Sequence, residues 1–473
     1  MERRNPEPST PKQESRRRSC WPWVLAVGSL FVVLLALFLP RQKASLTPHN
    51  SADAAGQNPL AHGGVERANL SSGLSGAALT PEEIVAGKVT RFAQDRLRIT
   101  HAMAKRFKVS VAPDVERFFQ AVAAGRWEEL NAAFEALKQR RESGNAEDLG
   151  AIWGPILETL LIAECAHNWP AQKLLDYGEA TLGALRMGMV YVGGTDPGRG
   201  IPTLLNETSD GERHIVITQN GLADASYLQY LDFLYGDRVA TLTAEDSQSA
   251  FQNYMADAQQ RLAHDQQFPD EPKQIRPGED IRMVDNRVQI SGQVAVMAIN
   301  ENLLRTFMAK NPDLSFGLEE SFPLKSTYPN AMPLGALMEL GVPDAQNSFT
   351  RETAAQAVNY WRDTAQQVLS DAEAGAYSPD RLIYAKMAAA QAALLADHQY
   401  CAEAEQAYHL AMQISPASPE AVYGLGQLLA NTDRADEARQ LVADFERAHP
   451  SRGPAPVWAL IYSAAAGGKA PHP

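Results

Sequence analysis

The spacing of apolar and polar positions divides the chain into four stretches of different character. Trp21 to Leu39 reads WPWVLAVGSLFVVLLALFL, a run without a charge that at about 1.5 Å per residue spans a hydrocarbon core of roughly 30 Å. Ala44 to Leu79 follows, rich in Ser, Ala, Gly and Asn and without apolar periodicity, the composition of a flexible tether. Thr80-Pro81-Glu82-Glu83 then combines an N-cap, a proline at the first helical position and a capping-box glutamate, which predicts a helix start. From there to Arg186 the apolar positions recur at three- and four-residue steps, as in Phe118, Phe119, Val122, Trp127, Leu130, Phe134 and Leu137. That period predicts amphipathic helices packed on a common core.

At Gly188 the pattern changes. Met189–Val192 and His214–Thr218 are short β-branched and aromatic runs with a helical stretch between them, a β-α-β rhythm that implies parallel pairing. Tyr227–Tyr235 and Ser247–Leu262 read as helices, Ile281–Ile290 as a strand pair turned at Asp285-Asn286, and Gly292–Lys310 as a helix. Leu314–Ser321 and Leu334–Leu340 are the last strand candidates.

Residues 385–418 overlay 419–452 at a spacing of 34: Ala392 with Gly426, Leu395 with Leu429, Ala404 with Ala438, Ala411 with Phe445, and Pro416 with Pro450. This is the tetratricopeptide period. Small residues at Ala392, Gly426, Ala404 and Ala438 let the helices of a repeat approach, Tyr408 joins the packing set, and the prolines end the second helices. Phe445 replaces a small residue and points to terminal packing. Thr353–Leu369 reads as an upstream helix and Val457–Ala464 as a closing one. Two repeats fall short of an independent solenoid, so they should lean on the preceding domain.

The organisation expected is therefore a basic tail at 1–20, a transmembrane signal anchor at 21–39, a linker at 40–79, a helical domain at 80–187, an α/β domain at 188–341 and a helical region at 342–473 containing the repeats. The fold class is mainly α, with a Rossmann-like, mostly parallel central sheet. Arg16, Arg17 and Arg18 abut the apolar run and should hold that end in the cytoplasm. The run is longer than a cleaved leader's apolar core, and no A-x-A pattern follows it. The expected location is a bacterial inner membrane, single-pass, with the bulk of the chain periplasmic.

Composition removes some functions. A formal charge of −13 repels phosphate backbones, so no nucleic-acid partner is expected. Cys20, Cys165 and Cys401 form no C-x-x-C pair and indicate neither a disulfide framework nor a zinc site. Glu164-Cys165-Ala166-His167 has metal-binding residue types at the wrong spacing for one helix face; buried helix residues explain it better, and no metal or cofactor is expected. There is no G-x-S-x-G elbow and no H-E-x-x-H.

The conspicuous chemistry lies in Gly193-Gly194-Thr195-Asp196-Pro197-Gly198-Arg199-Gly200-Ile201-Pro202-Thr203. A glycine-rich turn from strand to helix directs backbone N–H groups at whatever lies at the carboxyl end of the strand. A phosphate loop fails on Arg199 and Gly200, and a dinucleotide fingerprint fails on Thr203. Two readings stay open. In one, Gly194, Thr195, Asp196, Gly198, Arg199 and Thr203 converge with Gln219, Asn220, Asp224 and Glu320 on a glycan-like or anionic ligand. In the other, Asp196 caps the next turn and Arg199 pairs with Asp196 or Glu320, the glycines serving only the backbone.

The residues Val192–Gly200 with Pro202-Thr203, then Ile217–Asn220, Leu222–Asp224 and Tyr227-Leu228, resemble the soluble C-terminal region of bacterial protein O-mannosyltransferase-like membrane proteins. The resemblance covers about residues 188–341 with the repeats as its sequel. It implies a role beside envelope glycan or glycoprotein assembly. Those proteins carry a multi-spanning domain with an acidic catalytic loop, whereas one apolar segment is present here, and no D-x-D occurs, so transferase chemistry is not implied. The function expected is a membrane-anchored scaffold that holds a protein partner through its repeats, the alternative being a transferase or hydrolase acting on a glycan or sugar phosphate at the Gly193–Thr203 loop.

Overall fold

The computed structural model describes residues 79–450, apart from 145–146, 276–278, 285–286, 372–374 and 376. The expected anchor at 21–39, nearly all of the linker, the turn at 285–286 and the closing helix at 457–464 lie outside the described residues.

Thr80 opens α1 (Pro81–Phe107) through a full capping box: its hydroxyl accepts from Glu83 N at 3.2 Å and Glu83 Oε2 accepts from Thr80 N at 2.8 Å. Four further helices, α2 (Pro113–Ala123), α3 (Trp127–Glu142), α4 (Glu147–Asn168) and α5 (Ala171–Leu182), complete the helical region. By length and composition α4 is apolar enough to cross a membrane, yet Ile152, Ile156 and Ile162 are fully buried in the common core. It is a core helix. Within the metal-like quartet only Cys165 is buried; Glu164 and His167 are exposed, and the His167 ring stacks on Trp127 at 3.9 Å.

The sheet has the order β2-β1-β5-β7-β6. β1 (Val190–Gly193) pairs in parallel with β2 (Ile215–Thr218) and with β5 (Phe316–Glu319), and β5 pairs antiparallel with β7 (Leu337–Leu340), which forms a hairpin with β6 (Ala331–Leu334). The sheet is thus mixed, which corrects the expectation of a mostly parallel one. β6 escapes the sequence pattern because it contains Pro333, tolerated at a sheet edge where no ladder donor is needed. Gly335, at φ +56°, turns the two-residue hairpin loop. α6 (Asp196–Glu207) packs on β1 and β2, and α7 (Ala225–Tyr235), α8 (Ala244–Gln267), the hairpin of β3 (Asp280–Val284) and β4 (Arg287–Ser291), and α9 (Gln293–Lys310) surround this half.

After the single turn α10 (Ala345–Ser348) come α11 (Arg351–Leu369) and two helical pairs, α12 (Pro379–Asp397) with α13 (Cys401–Ile414) and α14 (Pro419–Asn431) with α15 (Ala435–Ala448). As expected, the repeats lean on the α/β domain. Gln391 of α12 donates to the carbonyls of Gly335 and Leu337, each at 2.7 Å, and accepts from Trp361 Nε1 at 2.9 Å. The His398 ring meets the Tyr328 carbonyl at 2.9 Å, and Tyr400 donates to Phe349 O at 2.7 Å.

A buried ionic cluster joins the N-terminal helices to the α/β part. Arg96 of α1 is 2 % exposed; its Nε donates to Glu158 Oε2 at 2.6 Å, its Nη2 lies 3.5 Å from Glu207 Oε2, and its guanidinium lies over Phe92 at 4.3 Å. Tyr230 and Tyr235 donate to the same two carboxylates at 2.5 and 3.2 Å. Removing one member of such a cluster leaves uncompensated buried charge, a loss of about 3–5 kcal/mol. We expect Arg96→Met to lower the urea midpoint accordingly; an unchanged midpoint would show that Glu158 and Glu207 are satisfied without the cation.

Candidate functional site

Parallel pairing sets Gly193, Thr218 and Glu319 side by side at the carboxyl edge of the sheet. The residues that follow each strand are therefore neighbours: Gly194 and Thr195, Gln219 and Asn220, and Glu320 and Ser321. The structure brings the predicted Gly194, Thr195, Gln219 and Asn220 together there, with Glu319 and Ser321 among them.

The glycine-rich turn gives its donors to the chain itself. Glu319 Oε2 accepts from Gly194 N at 2.8 Å and Thr195 N at 2.7 Å, while Oε1 accepts from Thr195 Oγ1 at 2.9 Å. Thr195 Oγ1 in turn accepts from Gly198 N at 2.9 Å, which makes Thr195, and not Asp196, the N-cap of α6. Glu319 is 1 % exposed. Burial raises its pKa, and the Gly194 and Thr195 donors oppose that rise. The carboxylate occupies the position where an anion would lie against a helix N-terminus.

The glycines follow from this approach. A Cβ at Gly198 would fall 1.9 Å from Glu319 Oε2, and one at Gly194 would fall 2.4 Å from Ser321 N and 2.8 Å from Gln219 Oε1. Gln219 is fully buried, its Oε1 3.4 Å from Ser321 N and its Nε2 without a partner among the described residues. Asn220 is exposed and donates to Gly194 O at 3.0 Å.

The remaining candidates do not join this group. Arg199 pairs with Asp196 at 2.6 Å across one turn of α6, each side chain about a third exposed. The Asp196 carbonyl lies 3.9 Å from the buried Cys165 Sγ, whose thiol burial holds protonated. Thr203 is buried and donates to Arg199 O at 2.5 Å. Asp224 is the N-cap of α7, accepting from Ser226 N and Tyr227 N at 2.7 and 3.1 Å. Glu320 accepts from Leu324 N at 2.8 Å and from Tyr328 OH at 3.0 Å on both oxygens. Burial pushes its pKa up to about 8. The expected single crevice is thus four separate places, because Asp196, Arg199 and Thr203 lie along α6, Asp224 caps α7 and Glu320 turns to Tyr328.

In the repeats, Ala392, Leu395, Ala404 and Ala411 are fully buried, Tyr408, Leu429 and Ala438 nearly so, and Gly426 is also buried. Pro416 and Pro450 follow the ends of α13 and α15. The close approach requires glycine at Gly424, where a Cβ would meet the Tyr408 ring at 2.4 Å; at Gly426 the nearest atom is an ordinary 3.4 Å away. Phe445 packs with Val422 and Tyr423 in a small cluster apart from the main core, consistent with terminal packing.

A tetratricopeptide repeat family model matches residues 394–461. This region of the chain is a tetratricopeptide-repeat region. No curated protein and no solved structure matches the chain.

Two outcomes test the site. Glu319→Ala strips the acceptor from Gly194 N and Thr195 N, a loss of roughly 1–3 kcal/mol or more for unpaired buried donors, and it opens a space the size of a carboxylate. Acetate should restore part of the lost thermal midpoint, while chloride at equal ionic strength should not; equal effects of both salts would mean that the donors find another partner. Glu320 is protonated in the fold up to about pH 8, well above its unfolded value, so its contribution is fully present in acid and is lost as pH rises through 8. Glu320→Gln keeps an acceptor for Tyr328 and cannot ionise. Its melting temperature should draw level with the wild type near pH 5 and exceed it by a margin that grows toward pH 9; a constant difference would sink this account.

Proposed function

We propose that the chain is a membrane-anchored, extracytoplasmic interaction protein whose second repeat meets a protein partner. The observation that carries the reading is the unequal use of the two repeats. α12 is buried along most of its length and bonded to the β6–β7 hairpin through Gln391, so the first repeat is occupied by the chain's own α/β domain. α15 turns Asp436, Arg439, Gln440 and Asp444 outward. Stacked helical repeats present extended binding surfaces, and here the exposed one belongs to α15, since α14 is itself buried along most of its length.

The 21–39 segment supports the anchor and the inner-membrane location, and the resemblance of the 188–341 region supports a place beside envelope glycan or glycoprotein assembly. The net charge of −13 favours a neutral or basic partner surface. An enzyme at the Gly193–Thr203 loop is the weaker reading, because Glu319 already takes the N–H groups that would hold a substrate anion.

Photo-crosslinking in the native cell tests the proposal. A crosslinking residue at Gln440 should give one discrete protein adduct, and one at the exposed Glu245 of α8 should give none. Deleting residues 21–39 should release the chain from the membrane fraction and abolish the adduct. Equal adducts from both positions, or none from Gln440, would overturn the reading.

A further inference from the structure

A second polar site lies away from the Glu319 loop. The end of α1, the end of α3 and the first turns of α4 and α7 border an open cleft of about 540 Å³, within the roughly 300–1,000 Å³ of small-molecule sites. Phe107 and Ala151 give it an apolar wall; Arg141, Asp224, Ser226 and Gln229 give it polar groups.

The two charges in this cleft are unequally satisfied compared with their neighbours. Arg140 is held by Asp114 at 3.3 Å and Asp148 at 3.2 Å. Arg141, one residue on, makes no ion pair among the described residues; its guanidinium lies over the Trp153 ring at 4.6 Å. Burial lowers its pKa and the charge of Asp224 raises it, so the two groups sense one another without touching. Asp224 uses one oxygen for its cap: Oδ1 accepts from Ser226 N, Ser226 Oγ and Tyr227 N at 2.7, 2.6 and 3.1 Å. Oδ2 accepts no hydrogen bond from the described residues.

A cation over an indole, an acceptor oxygen and an apolar wall lining one cleft make a specific demand on an occupant. An anion alone would gain Arg141 and be repelled by Asp224; a cation alone would face the reverse. A molecule carrying both charges satisfies both. We propose that this cleft binds a free α-amino acid, with its carboxylate on Arg141, its ammonium on Asp224 Oδ2 and an aliphatic side chain against Phe107 and Ala151. Arginine suits the carboxylate because its planar fork donates two parallel bonds.

Equilibrium dialysis of the full-length chain with labelled L-leucine tests this. Saturable binding is expected, with 4-methylpentanoate, which lacks the ammonium, and 3-methylbutylamine, which lacks the carboxylate, each competing at least roughly tenfold less well. Arg141→Gln should abolish leucine binding. Asp224→Asn retains a strong N-cap, so α7 stays intact, and it should bring 4-methylpentanoate level with leucine. No saturation up to roughly 10 mM leucine, equal competition by either half-analogue in the wild type, or unaltered binding by Asp224→Asn would overturn the proposal.

Discussion

The carboxylate of Glu319 is the constraint around which the centre of the molecule is arranged. Three donors from one turn converge on it, and it approaches so closely that Gly198 has no room for a methyl group, while Gly194 is hemmed in by Ser321 N, Glu319 O and Gln219 Oε1. The register of β1 with β5 puts Glu319 directly beside Gly193, so strand pairing, helix capping and glycine placement are a single requirement. A turn whose sequence suggests an anion-binding loop has its anion built in. Such an arrangement offsets the burial of a charge with bonds to it and fixes the start of α6 without any ligand.

The repeats are attached at the same sheet by a different device. Polar side chains reach across the junction at Gln391, His398 and Tyr400, while Glu320 lies beneath it, bonded to Tyr328. Tyr328 is shared: its hydroxyl serves Glu320 and its carbonyl serves His398. Loosening α12 would therefore expose a buried carboxyl and several backbone carbonyls at once, and unpaired buried polar groups are what folded chains avoid most strictly. The first repeat behaves as part of the core.

Much of this could be read from the residues, and the failures have physical causes. Thr80 with Glu83 marks the first helix, and β-branched runs mark β1 and β2, because caps and periodicity are local. The spacing of 34 marked the repeats, but it drew attention to Gly426 when the steric need lies at Gly424; two residues along a helix turn the side chain by roughly 200°, to the other side. Glu320 is the residue that the candidate crevice includes, yet it is its neighbour Glu319 that lies under the glycine turn, while Glu320 turns to Tyr328. Arg96 carried an unread signal, since it continues the buried stripe Val85, Val89, Phe92 and Ala93, where a charged residue implies a buried partner. Strand order depends on long-range pairing that no local pattern records, and β6 escapes the pattern because Pro333 interrupts it.

The buried ionisable groups share a placement that local reading could not give. Arg96 with Glu158 and Glu207 lies where α1, α4 and α6 meet, Glu319 where β5 meets the glycine turn, and Glu320 where the sheet meets the repeats. Apolar contacts would hold each junction in many near-equivalent ways, because hydrophobic burial is non-directional. A polar group bonded at fixed angles permits only one, since any slip leaves a buried donor or acceptor unpaired. Specificity of docking is therefore concentrated at these junctions, whereas Arg141, without an ion pair, and Asp224 Oδ2, without a hydrogen bond, among the described residues, line an open cleft. Bonded carboxyl groups fix the three junctions in one way, while these two side chains line a cleft that solvent and solutes reach.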